Sequence, residues 1–154
     1  MRDKKGFTLI ELLAVIVVLA LVAVLATTTL LPYMRKARTR AFAIEAQEAI
    51  NAAVNLTNLI ELGEISKNEV SYKQYENGYC YNLTNLIDAG LYKKSNNKYD
   101  AKIDVTKKGN EFVYQITMTN GEFYIYNSSN PKSIDVQEIS IDNTVSMSLM
   151  CATE

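Results

Sequence analysis

Glu11 is the only charge in a long apolar stretch. Residues 7–34 read FTLIELLAVIVVLALVAVLATTTLLPYM, and no charge follows Glu11 until Arg35. A carboxylate costs about 2.5–3.5 kcal/mol or more at the centre of a bilayer, so it persists where a cation pairs with it. One reaction would create that cation. Hydrolysis of the Gly6–Phe7 peptide bond frees an α-amine on Phe7, close in sequence to Glu11. This is chemistry done to the chain rather than by it. With no histidine in the sequence, imidazole acid–base catalysis and His-containing metal sites are excluded. There is no phosphate loop or nucleophilic triad, and Asp135, Glu138 and Asp142 do not form a recognised calcium loop. No catalytic residue, metal site or cofactor is expected, and the chain reads as a non-enzyme. Its remaining reactive groups are Cys80 and Cys151. If the C-terminal part is exported they pair, closing a loop of about 70 residues worth roughly 4–5 kcal/mol in a chain-entropy account. The alternative is two free buried thiols.

The N-terminus resembles the signature of type IV prepilins and type II secretion pseudopilins. That pattern is a short basic leader, Gly, then Phe-Thr-Leu-Ile-Glu and an apolar helix. Here it stands as Lys4-Lys5-Gly6-Phe7-Thr8-Leu9-Ile10-Glu11, and the resemblance covers about the first 35 residues. It implies cleavage after Gly6 by a prepilin peptidase, a membrane aspartyl protease, and N-methylation of Phe7. It also implies that Glu11, the fifth residue of the product, serves subunit assembly together with the Phe7 amine. Many such proteins close a C-terminal loop with a disulfide, which favours pairing of Cys80 with Cys151. Many carry a proline in the apolar half that melts on assembly. Pro32 is the counterpart here, somewhat later than usual, and it predicts a kinked or locally melted helix. A simple kink at the membrane edge is the plainer reading.

The run Leu12–Met34 would span ~35 Å as a helix, enough to cross a bilayer. A secretory signal peptide is a competing reading, since Val24-Leu25-Ala26 places small residues where signal peptidase cuts. An uncleaved single-pass anchor is another. Neither gains from a carboxylate at the start of its apolar core, so Glu11 argues against both. Charge counting pulls the other way. Arg2, Lys4 and Lys5 precede the run, but Arg35, Lys36, Arg38 and Arg40 follow it. The positive-inside rule then favours the orientation opposite to that of a pilin, whose leader is cytoplasmic.

Past the apolar run, Phe42, Ala46, Ala49, Ala53, Leu56 and Ile60 recur at alternating intervals of four and three. That is one apolar stripe of a continuing helix, with Gly63 as its stop. A helix from about Thr8 to Leu62 would be ~80 Å long, a protruding apolar half followed by an Ala-rich half suited to packing under a sheet. Residues 55–63 (NLTNLIELG) and 82–90 (NLTNLIDAG) are near copies, and both read as helix ends stopped by Gly, the second capped by Asn82. From Tyr99 the period changes to two. Tyr99, Ala101, Ile103 and Val105 alternate with polar residues. Lys107–Asn110 reads as a turn, and Phe112, Tyr114, Ile116 and Met118 share a face. Asn120-Gly121 signals a type I′ hairpin, Phe123–Tyr126 pairs back, and Ile134–Ile141 offers a further strand. The expected fold is α+β: a long N-terminal helix, transmembrane then amphipathic, packed on a small antiparallel sheet of three or four strands.

The expected organisation is a leader at 1–6, a transmembrane or fibre-core helix at 7–34, and an extracytoplasmic head at 35–154 containing the amphipathic helix to about 62. Losing residues 1–6 removes a net +2 and takes the formal charge from −1 to −3. That is too mild to point to nucleic acid, and DNA remains a weakly supported partner. The basic cluster Arg35–Arg40 reads as a solvated or lipid-facing collar, or as a set of partners for Glu45, Glu48 or Glu61 of a neighbouring subunit. The tyrosines suit strands, having an apolar body and a wet tip. The expected function is a structural subunit of a type IV pilus-like filament. The alternatives are a pseudopilin of a type II secretion or competence system, or, further off, an anchored secreted binding protein. The expected partners are prepilin peptidase, identical or related pilin subunits, the assembly platform with its ATPase machinery, and membrane lipid. The expected location is the cytoplasmic membrane, then an extracellular or periplasmic filament.

Overall fold

A computed structural model describes residues 8–66, 69–93, 98–131, 137–138 and 149–151. The chain divides into two compact units, residues 1–38 and 39–154. Helix α1 (Leu9–Glu61) starts in the first and ends in the second. The second unit adds β1 (Lys73–Tyr75), β2 (Gly78–Asn82), the short α2 (Leu83–Asp88), β3 (Asp100–Lys108), β4 (Glu111–Thr119), β5 (Phe123–Ser128) and β6 (Gln137–Glu138). The α+β layout of a long N-terminal helix followed by an antiparallel sheet is the pilin-like one.

The six strands pair in sequence order, each antiparallel to the next. The sheet is larger than the three or four strands expected. β1 and β2 form a hairpin that period counting passes over, because Lys73-Gln74-Tyr75 shows no apolar alternation. The two-residue loop Glu76-Asn77 leads into Gly78, whose φ is +151°. A Cβ there would lie 1.9 Å from the Val105 carbonyl oxygen, so only glycine lets β2 approach β3 this closely. The Asn120-Gly121 turn is not type I′. Three residues link β4 to β5, and of these only Gly121 has positive φ, at +88°. Type I′ needs positive φ at both central residues. The Asn120 side chain instead accepts the N–H groups of Glu122 (3.0 Å) and Phe123 (2.8 Å). A register shift between Ile116 and Met118 leaves Asn127 at φ +48°, its N–H on Thr117 Oγ1 at 3.2 Å. Of the strand expected at Ile134–Ile141, β6 is the described part; the rest lies outside the described residues.

The core forms where the Ala-rich stripe meets the sheet. Phe42, Ala46, Ala49, Ala53 and Leu56 are buried together with Ala101, Ile103, Val105, Ile116, Met118, Phe123 and Ile125. Small side chains on the helix leave room for the larger side chains of the strands in one packed core. The two near-copied segments end their helices with the same closure. Gly63 N–H bonds Ile60 O and Glu64 N–H bonds Leu59 O; Gly90 N–H bonds Ile87 O and Leu91 N–H bonds Leu86 O. This is the Schellman pattern, and the glycines take the left-handed conformation it needs, at φ +75° and +71°.

Candidate functional site

The helix start is built by Thr8 and Glu11. Thr8 stands just before Leu9, the first helical residue, and Glu11 is third in the helix. The Glu11 carboxylate accepts the Thr8 backbone N–H and the Thr8 hydroxyl, both at 2.9 Å, and the Glu11 N–H reaches back to Thr8 Oγ1 at 3.4 Å. This is a capping box, which satisfies otherwise orphaned donors at a helix end. The negative charge also sits at the favourable end of the helix dipole. Glu11 therefore already has two donors, both from Thr8, in the unprocessed chain. Thr8 was the missed residue. Its signal, Thr-x-x-Glu, is plain in the sequence. Gly6 and Phe7 lie outside the described residues.

From Leu9 to Met34 every large apolar side chain is about half exposed or more, from 49% at Val17 to 84% at Leu9. An apolar surface of that extent does not stay in water, and the helix is long and apolar enough to cross a membrane. Thr27 and Thr28 do not undo this. Thr27 Oγ1 donates to Ala23 O at 2.6 Å and Thr28 Oγ1 to Leu25 O at 2.9 Å, so each hydroxyl is satisfied by its own helix. Pro32 lies inside α1, where it has no N–H to offer the preceding turn.

In the second unit Cys80 and Cys151 are joined by a disulfide, Cα to Cα 5.8 Å. Asn82, expected as a helix cap, does two jobs. It occupies the N-cap position of α2, its N–H bonding Asn85 Oδ1 at 2.7 Å, and its own Oδ1 accepts the Cys151 N–H at 3.1 Å. The C-terminal end is thus held twice, by a covalent bond and by a hydrogen bond to the next turn of chain.

Polar links tie α1 to the rest of this unit. Thr57 Oγ1, fully buried, lies 2.8 Å from Ala53 O and 3.0 Å from the Tyr81 hydroxyl. The Tyr79 hydroxyl donates to Glu61 at 2.5 Å, and the Tyr92 hydroxyl to Glu45 at 2.7 Å. Burial raises the Tyr79 phenol to about 12, with the Glu61 carboxylate adding to it. Tyr92 is raised for the same two reasons, with Glu45 as the carboxylate. Burial likewise raises Tyr81 and Tyr114. Lys107 Nζ also lies 3.8 Å from Glu61. Two of the three acids considered as partners for a neighbour's basic cluster are therefore engaged within their own subunit.

The layout, a long N-terminal helix followed by an antiparallel sheet, is pilin-like. Residues 1–27 match the family described as the prokaryotic N-terminal methylation motif, so the N-terminal segment carries the prepilin signal shared by type IV pilins and pseudopilins. Comparison with curated proteins and with solved structures gave no match.

Proposed function

We propose that the chain is a structural subunit of a type IV pilus-like filament. Prepilin peptidase removes residues 1–6 by cutting after Gly6, and Phe7 becomes the methylated N-terminus. Residues 7–34 then hold the subunit in the cytoplasmic membrane with residues 35–154 outside, and later pack in the filament core. The observation that carries this reading is the prepilin signal running directly into a helical stretch, Leu9–Met34, whose large apolar side chains are all about half exposed or more. Such a surface is covered first by lipid and then by identical or related subunits. An assembly platform with its ATPase drives the exchange.

In this reading Glu11 changes partners. Before cleavage Thr8 serves it. After cleavage the cationic Phe7 amine of its own or a neighbouring subunit neutralises it. A misregistered subunit leaves a desolvated charge unpaired, which costs about 3–5 kcal/mol, so Glu11 acts as a register check. The test is Glu11→Ala. It should insert and be cut normally, and be depleted at least tenfold from sheared filaments. Filament yield equal to wild type would refute the role. The same signal serves pseudopilins of type II secretion and competence systems. Abundant recovery in sheared surface fibres marks a pilus subunit; absence from them, with loss of secretion or DNA uptake on deletion, marks the pseudopilin.

A further inference from the structure

Arg35, Lys36 and Arg38 are exposed on α1 directly after the uncharged run. We infer that they form a headgroup-binding collar that holds the unassembled subunit against anionic phospholipid on the exported face of the membrane. The inference rests on the proposed membrane-spanning reading and deepens it.

Depth is the first argument. At 1.5 Å per residue, Arg35 lies ~36 Å along the helix from Glu11. A hydrocarbon core is ~30 Å thick, with headgroup layers of roughly 5–7 Å on each side. With Glu11 at the near edge of the hydrocarbon core, the Arg35 backbone reaches the outer boundary of the far headgroup layer and Lys36 and Arg38 lie ~1–5 Å beyond it, from where their long side chains reach back to the phosphates. Direction is the second argument. At 100° per residue, Lys36 lies ~100° to one side of Arg35 and Arg38 ~60° to the other. A fan of ~160° is wider than the stripe one partner helix covers, whereas lipid phosphates surround the helix on every side. Chemistry is the third. Two of the three cations are arginines, whose planar forks bind phosphate oxygens bidentately. The competing acids are also reduced in number, since Glu45 and Glu61 already accept tyrosine hydroxyls. The collar accounts for cations on the side that the positive-inside rule disfavours: there they bind lipid rather than set topology.

The test uses the full-length protein in nanodiscs of equal parts phosphatidylcholine and phosphatidylglycerol, beside a variant carrying Arg35→Gln, Lys36→Gln and Arg38→Gln. Lipids retained on the released protein are counted by native mass spectrometry. Near a membrane each cation favours anionic lipid by about fivefold, so three set a ceiling of about 100-fold. Wild type should retain phosphatidylglycerol at least tenfold over phosphatidylcholine, less so in high salt, and the variant should retain the two equally. Equal retention by wild type, with the protein resisting carbonate extraction from vesicles, overturns the collar while leaving the membrane span intact. Loss of wild type to the carbonate wash overturns the span and the collar with it. Equal lipid retention together with duplex DNA binding that the variant loses assigns the cations to DNA and overturns the proposal.

Discussion

Thr57→Val should destabilise the second unit through Tyr81 more than through Thr57 itself. The change is nearly isosteric, so it leaves little cavity. Thr57 has one hydroxyl hydrogen, and Ala53 O, 2.8 Å away, takes it. The Tyr81 hydroxyl at 3.0 Å must then be the donor of the second bond. Valine removes that acceptor and leaves a hydroxyl on a fully buried ring with no other hydrogen-bond partner among the described residues. Stranding such a group costs about 1–3 kcal/mol. Tyr81→Phe removes the donor instead. Thr57 keeps its bond to Ala53, so the expected cost is about 0.5–1.5 kcal/mol. The double variant has no stranded hydroxyl on Tyr81 and should cost less than the sum of the singles by about 1–2 kcal/mol. The assay is urea unfolding of the full-length protein in detergent, with tyrosine fluorescence reporting the second unit and the m-value held constant. Additivity within about 0.5 kcal/mol would refute the assignment of donor and acceptor.

Alkaline pH should weaken the same unit. The Tyr79 phenol is raised from 10 to about 12 in the folded state, so its contribution is full below the unfolded value and is lost as pH rises through the folded one. The urea midpoint should be flat to about pH 9 and fall towards pH 12, less steeply in Tyr79→Phe; an identical decline in that variant would show that Tyr79 is not the group titrating. Replacing Cys80 and Cys151 together by Ser should cost roughly 4–5 kcal/mol, read as a lower urea midpoint, and a loss under about 1 kcal/mol would mean that the reduced chain already holds the C-terminal end in place. Gly78→Ala should cost more than about 3 kcal/mol, because both the positive φ and the Val105 carbonyl oppose a Cβ there, and a wild-type unfolding curve would show that β2 moves off β3 at little cost.

The long helix was legible because its buried positions recur at helical spacing and its stop is a glycine. β3 and β4 were legible because period-two alternation survives in each, and β5 because the Asn120-Gly121 turn signal stands directly before its apolar run. The β1–β2 hairpin was not. Asn77-Gly78 was available as a turn signal, but a three-residue edge strand with two exposed side chains offers no pattern to count. Thr8 was readable as the partner of Glu11 by the spacing of a capping box, yet the cleavage signal occupies the same residues and drew the reading to Phe7. Asn82 shows the limit of local patterns. Its place before a short helix follows from its neighbours, whereas its bond to Cys151, 69 residues away, is fixed only when the disulfide brings the chain end to β2. The same holds for Tyr79 with Glu61 and Tyr92 with Glu45, which the fold brings together across separations of 18 and 47 residues.

The central claim is that the chain is processed as a prepilin, and the intact N-terminal mass of the protein from its native membrane tests it most directly. A first residue of Phe7 carrying one added methyl is the predicted result. A first residue of Thr27, left by signal peptidase, or an uncut chain still carrying residues 1–6, would contradict it.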